Sequence, residues 1–166
     1  MEAKERKYRS ILKNSGYAVI AFGVWGIVRI LMMMFFDPES YNEMFLSGLG
    51  DEIPRQALIV ISLVIILFLL GLDLVFRIYV GSAAIKEGNG GKKSIAYIIA
   101  ASLYFGVSLH SDVGSLINYI GGTATYGANM MIMTLVDLSF CSAFFAIIYS
   151  ALMLRRVRRG KAGEQA

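Results

Sequence analysis

The chain is poor in the residues on which many catalytic and metal sites depend, with one cysteine, one histidine and two prolines among 166 residues. A single cysteine, Cys141, excludes an internal disulfide and a zinc site made of cysteines. The histidine, His110, has Asp112 nearby but no third candidate ligand, so we expect a polar cap at a helix end. No set of nucleophile, base and oxyanion donors stands out, so we expect no enzymatic activity, metal site or cofactor.

Charged residues are also scarce for a chain of this size. Only 17% of the residues are charged, 57% are hydrophobic, and the mean hydropathy is +0.62. Soluble domains average roughly 45–50% apolar and about 25% charged residues. A small soluble domain leaves much of its surface in water, so its core could not hide this excess of apolar side chains. The composition therefore predicts an integral membrane protein whose apolar surface is covered by lipid.

Four apolar segments predict an all-α, four-transmembrane-helix bundle that forms a single membrane domain over residues 1–166. The spans are expected at about 15–36, 55–80, 94–111 and 129–154, and the second helix has room to continue to residue 87. A span needs roughly 17–25 residues, so three segments qualify directly and the third is the shortest. Neither Pro38 nor Pro54 falls inside a span, and the glycine-rich stretch 88–91 predicts a turn.

Lysine and arginine alternate between the connections, which predicts the orientation of the helices. The N-terminal tail is basic, whereas the connection after the first span is acidic apart from Arg55. The next connection carries Lys86, Lys92 and Lys93, the stretch 110–129 has neither lysine nor arginine, and the tail 155–166 is again basic. Cytoplasmic connections are enriched in basic residues, so we expect both termini in the cytoplasm and the protein in the cytoplasmic membrane. The net charge of +4 is then explained by topology, without nucleic-acid binding.

Two ionisable residues, Arg29 and Asp137, lie within apolar segments. Such a group costs roughly 2.5–3.5 kcal/mol to insert, so it usually has a partner in the bundle. At 1.5 Å per residue, both lie roughly 10–12 Å below the outer boundary, which favours an ion pair between the first and fourth helices. The pair has two interpretations: it is a structural link, or Asp137 titrates or binds a cation while Arg29 adjusts its pKa.

A second charged pair, Asp73 and Arg77, is predicted near the cytoplasmic end of the second helix. The two residues are four apart with the acidic one first, which is the favourable order on a helix. Arg77 can extend towards the headgroups, so we expect the pair to anchor the helix end.

Small and hydroxyl residues line one side of the third helix, where Tyr97, Tyr104 and Ser108 follow at helical spacing. They indicate either a packing seam or a polar pathway. On the fourth helix a small-residue surface lies roughly opposite Asp137 and is a candidate for self-association. Its members are Ser139, Ser142, Ala143, Ala146 and Ser150.

A run of arginines follows the fourth span. Its members are Arg155, Arg156, Arg158 and Arg159. They are candidates for binding anionic lipid headgroups, although topology alone would also explain them.

Two classes of function remain. The first is an accessory, regulatory or self-associating membrane component that acts through helix contacts and has a homo-oligomer or another membrane protein as partner. The second is a transporter or channel for small ions or solutes, formed by one or more copies. Many transporter sites use helices broken by glycine or proline, and no proline interrupts a span here. The charges also pair within the chain, so we favour the first class.

Overall fold

The computed structural model describes residues 2–38, 55–91, 94–120 and 128–164, and these residues are almost entirely helical. The four helices are α1 (Glu2–Phe36), α2 (Arg55–Gly88), α3 (Ala96–Ile120) and α4 (Ala128–Glu164). No strand occurs in these ranges, so the all-α class is confirmed. Residues 1, 39–54, 92–93, 121–127 and 165–166 lie outside the described residues.

Three of the helices continue well past the predicted spans. In α1 the basic N-terminal tail is helical from Glu2, and Glu2–Arg6 and Glu5–Arg9 ion pairs at 3.2 and 2.7 Å connect its successive turns. Acidic residues in a first turn also complement the helix dipole. The basic tail after residue 154 is likewise helical as far as Glu164. In α3 no proline interrupts the chain after residue 111, and the helix continues to Ile120.

The end of α2 is a glycine turn, as the sequence predicts. Gly91 N–H donates to the Lys86 carbonyl at 2.9 Å and Gly90 N–H to the Glu87 carbonyl at 3.0 Å. This is the Schellman pattern, which requires a left-handed residue after the helix, and Gly90 has a φ of 94°. The turn ends α2 sharply and leaves Glu87 in its last turn.

Three helical stretches are long and apolar enough to cross a membrane within the described residues: Glu2–Phe36, Ile59–Gly88 and Thr134–Gly160. In the most apolar part of Ile59–Gly88, only 11% is buried within the protein. Helix α3 is not among them, since His110, Ser111 and Asp112 interrupt its apolar run. The predicted third span, at about 94–111, and the total of four spans therefore stay predictions.

The chain divides into two compact units, one of residues 1–19 with 79–166 and one of residues 20–78. In the first, α3 packs against α4, where the Tyr104 ring stacks on Phe144 at 5.0 Å and meets the edge of Phe140 at 5.6 Å. The buried face of α4 continues through Ile147 and Leu154 at helical spacing. In the second unit, Gly23 of α1 lies against Arg77 and Leu74 of α2.

Candidate functional site

Glu87 is the one charged residue that is buried in the described part of the chain, with no exposed surface at all. It lies in the last turn of α2, directly before the glycine turn. A buried carboxylate is costly unless it is paired and hydrogen-bonded. Its surroundings must therefore supply both a cation and hydrogen-bond donors.

Arg155 of α4 supplies the cation. Its Nε donates to Glu87 Oε1 at 3.0 Å and its Nη2 to Glu87 Oε2 at 2.8 Å. Guanidinium and carboxylate thus meet in the two-bond fork geometry that makes such pairs strong and directional. The Arg155 side chain is 14% exposed, so little water reaches the pair.

Tyr97 completes the arrangement from the first turns of α3. Its hydroxyl donates to Glu87 Oε2 at 2.9 Å, and its side chain is fully buried. Arg155 Nη2 also donates to the Ser94 carbonyl, just before α3 begins. We call Glu87, Tyr97 and Arg155 the carboxylate cluster. It connects the end of α2, the start of α3 and the distal part of α4.

A second carboxylate, Glu5 of α1, lies between two arginines. It accepts from Arg9 Nη2 at 2.7 Å and from Arg158 Nε at 3.4 Å, and its side chain is 13% exposed. Arg158 is three residues after Arg155, so both arginines project from one side of α4. Through these two residues α4 is bonded to α1, α2 and the start of α3.

These contacts define what the carboxylate cluster can do chemically. Both oxygens of Glu87 accept hydrogen bonds from cationic or hydroxyl donors, so the carboxylate is fully satisfied. The contacts connect three parts of the chain, and neither oxygen of Glu87 is left for an incoming ligand. The described residues hold no group of three or more histidine, cysteine, aspartate or glutamate residues that could bind a metal.

The Asp73–Arg77 contact is present, with Arg77 Nε 2.6 Å from Asp73 Oδ2. The anchoring role of this pair stays a prediction. Arg29 is half-buried in the unit of residues 20–78, whereas Asp137 is exposed in the other unit. The Arg29–Asp137 ion pair therefore also stays a prediction.

The hydroxyl residues of α3 have two different environments. Tyr97 belongs to the carboxylate cluster, while Tyr104 packs against the phenylalanines of α4. Ser108 is half-buried on the same side. These contacts favour a packing seam over a polar pathway.

The small residues predicted to form one surface on α4 are divided between two environments. Ala143 and Ser150 are buried, Ala146 is half-buried, and Ser139 and Ser142 are exposed. Ala143 and Ser150 are buried because they lie beside Phe144 and Ile147 on the packed face of α4. The serine hydroxyls donate to carbonyls of their own helix, so a cross-helix role for them is not needed. Ser139 and Ser142 stay candidates for self-association.

Glu87 and Glu5 are not among the residues that the sequence patterns single out. Depth matching pairs Arg29 with Asp137, and helical spacing pairs Asp73 with Arg77, but neither signal points to Glu87 or Glu5. Depth arithmetic does not pair Glu87 with Arg155 either. Glu87 lies seven residues beyond the predicted boundary at residue 80, whereas Arg155 lies only one residue beyond the predicted boundary at residue 154.

Comparisons with protein-family models, curated proteins and solved structures find no match for this chain. The function must therefore be argued from the residues themselves.

Proposed function

We propose that the protein is a four-span protein of the cytoplasmic membrane, with both termini in the cytoplasm. In this proposal it acts through helix packing as an accessory, regulatory or self-associating membrane component. The carboxylate cluster is the observation that carries the proposal. Glu87 is the one buried charged residue in the described part of the chain, and both of its carboxylate oxygens are bonded to side chains of other helices. Anionic lipid at the arginine run is part of the same proposal.

Exposed apolar surface supports the membrane location. On α2, Val60, Val64, Phe68, Leu72 and Val75 are each more than half exposed. Soluble monomers rarely leave contiguous apolar patches larger than a few hundred Å² in water. Lipid or a neighbouring membrane protein would cover this face.

The pairing of charges supports an interaction role over transport. Glu5, Asp73 and Glu87 each contact an arginine of the same chain. A transport site needs ionisable groups that release one partner to take up a ligand or proton. Glu87 and Glu5 are instead paired with arginines of another helix, Arg155 and Arg158 of α4.

The function is tested by reconstitution. In proteoliposomes we expect no flux of protons, monovalent cations or cationic dyes above that of protein-free vesicles. In nanodiscs we expect a defined oligomer or a stoichiometric membrane-protein partner. Ser139→Phe should break a homo-oligomer without changing the unfolding free energy, because Ser139 is exposed on α4. Ser102→Phe places the same change on an exposed site of α3 and should leave the assembly intact.

Two outcomes would contradict this function. Flux that Asp137→Asn abolishes, in a variant that still folds, would establish transport. A monomer that has no partner would remove the basis for a role through helix contacts.

The orientation is tested separately with single cysteines introduced into a Cys141→Ser variant. In intact cells, Lys4→Cys and Lys161→Cys should be protected from a membrane-impermeant maleimide, whereas Asp51→Cys should react. Detergent-permeabilised cells, in which all three should react, provide the control. Labelling of either terminus in intact cells would exclude the proposed orientation.

A further inference from the structure

A continuous stripe of exposed residues follows one face of α4 from its apolar part into its basic C-terminal part. Phe145, Tyr149 and Leu152 are 56%, 43% and 49% exposed, and the exposed Arg156 and Arg159 follow. Steps of four, three, four and three residues keep all five on one side of the helix. We call these five residues the outward stripe. It changes from apolar to cationic at the predicted membrane boundary after residue 154.

The structure divides the arginine run into two pairs with different surroundings. Arg155 and Arg158 turn inward and bond to Glu87 and Glu5, with side chains 14% and 15% exposed. Arg156 and Arg159 face outward, and no ion pair involves either of them among the described residues. Two guanidinium groups thus lie next to an apolar helix face, and neither has a counter-charge from the part of the chain that the structure describes.

We propose that the outward stripe faces the bilayer and that Arg156 and Arg159 bind the phosphate groups of anionic phospholipids. The choice of anionic phospholipid rests on charge complementarity between the two guanidinium groups and the lipid phosphate. The aromatic and aliphatic side chains suit acyl chains, Tyr149 suits the interface, and guanidinium binds phosphate through two parallel hydrogen bonds. Arginine stems can also lie along apolar surface while the charged group reaches the headgroups. The inference rests on the proposed membrane placement.

The test places a fluorescent reporter within the stripe. Leu152→Trp in a Trp25→Phe variant puts the single tryptophan four residues before Arg156. Bilayers of equal phosphatidylglycerol and phosphatidylcholine content are prepared with one of the two lipids brominated at a time, because bromine quenches tryptophan on contact. The unmodified protein, whose Trp25 is 50% exposed on α1, is measured in parallel as an independent reporter of insertion.

Brominated phosphatidylglycerol should be preferred at Leu152→Trp by about fivefold per arginine, and so by about 25-fold for the pair. Arg156→Gln with Arg159→Gln should abolish the preference and leave the helix content unchanged. Arg158→Gln is the matched control, since Arg158 faces Glu5, and it should retain the preference. Excess inorganic phosphate should not alter the preference, because acyl chains hold the lipid phosphate in place.

Each contrary result has a separate meaning. Equal quenching by the two lipids, or an equal loss in the Arg158→Gln control, would overturn the assignment of Arg156 and Arg159. Loss of the preference in inorganic phosphate would show that the site takes a free anion. No quenching at Leu152→Trp while Trp25 is quenched would mean that another chain covers the stripe. No quenching at either position would instead contradict the membrane placement itself.

Discussion

Replacing Arg155 by alanine is expected to lower the free energy of unfolding by about 3–5 kcal/mol, the usual cost of leaving one member of a buried ion pair without its partner. Glu87 has no exposed surface, so water cannot take over the role of the guanidinium. Tyr97 would remain as a neutral donor at 2.9 Å, which satisfies one oxygen but does not balance the charge. Unfolding by sodium dodecyl sulfate in mixed micelles, followed by circular dichroism, measures the loss.

Arg156→Ala is the matched control, because it removes the same side chain from the next position of the same helix. Arg156 is exposed and outside the carboxylate cluster, so its loss should change stability by no more than about 0.5 kcal/mol. Glu87→Met combined with Arg155→Met should recover most of the stability, since apolar replacement of a buried pair is often neutral or stabilising. Equal losses for Arg155→Ala and Arg156→Ala would show that the cluster does not hold these helices together.

The helices themselves could be predicted from the sequence because apolar runs and glycine positions are local signals. The turn at Gly90 and the all-α class follow from such patterns, and the structure confirms both. The helix ends were less predictable, since hydropathy marks where apolar residues stop and not where the backbone leaves the helix. Glu5–Arg9 pairing and the basic end of α4 allow both terminal helices to continue beyond the apolar runs.

The carboxylate cluster could not be read from spacing alone, because Glu87 and Arg155 are 68 residues apart. Their contact depends on how α2 and α4 pack, which side-chain periodicity within one helix does not determine. The arginine run shows the same limit. Helical periodicity does not divide the run into these pairs, because at 3.6 residues per turn Arg159 lies about 40° from Arg155, no farther than Arg158 does. The positions of Glu5 and Glu87 decide that Arg155 and Arg158 turn inward.

Gly16→Ala is expected to destabilise the protein by about 1–3 kcal/mol, the usual cost of adding a methyl group to a close contact. A Cβ at Gly16 would lie 2.7 Å from the Gly81 carbonyl oxygen and 2.9 Å from Ile85 Cγ1. The first of these atoms belongs to the backbone of α2, which cannot move without shifting the whole turn. The close approach matters for the carboxylate cluster, because Ile85 is only two residues before Glu87 in the same helix.

Gly26→Ala is the matched control on the same helix, since a Cβ at Gly26 meets nothing within 4 Å. Alanine at an open helical site is favoured over glycine by roughly 0.5–1 kcal/mol, so this variant should be unchanged or more stable. The opposite signs matter because both substitutions alter helix propensity alike, and only the contact with α2 distinguishes them. Stabilisation by Gly16→Ala in the same micelle titration would contradict the close packing of α1 on α2, and with it the rigid support that positions Glu87 beside Arg155.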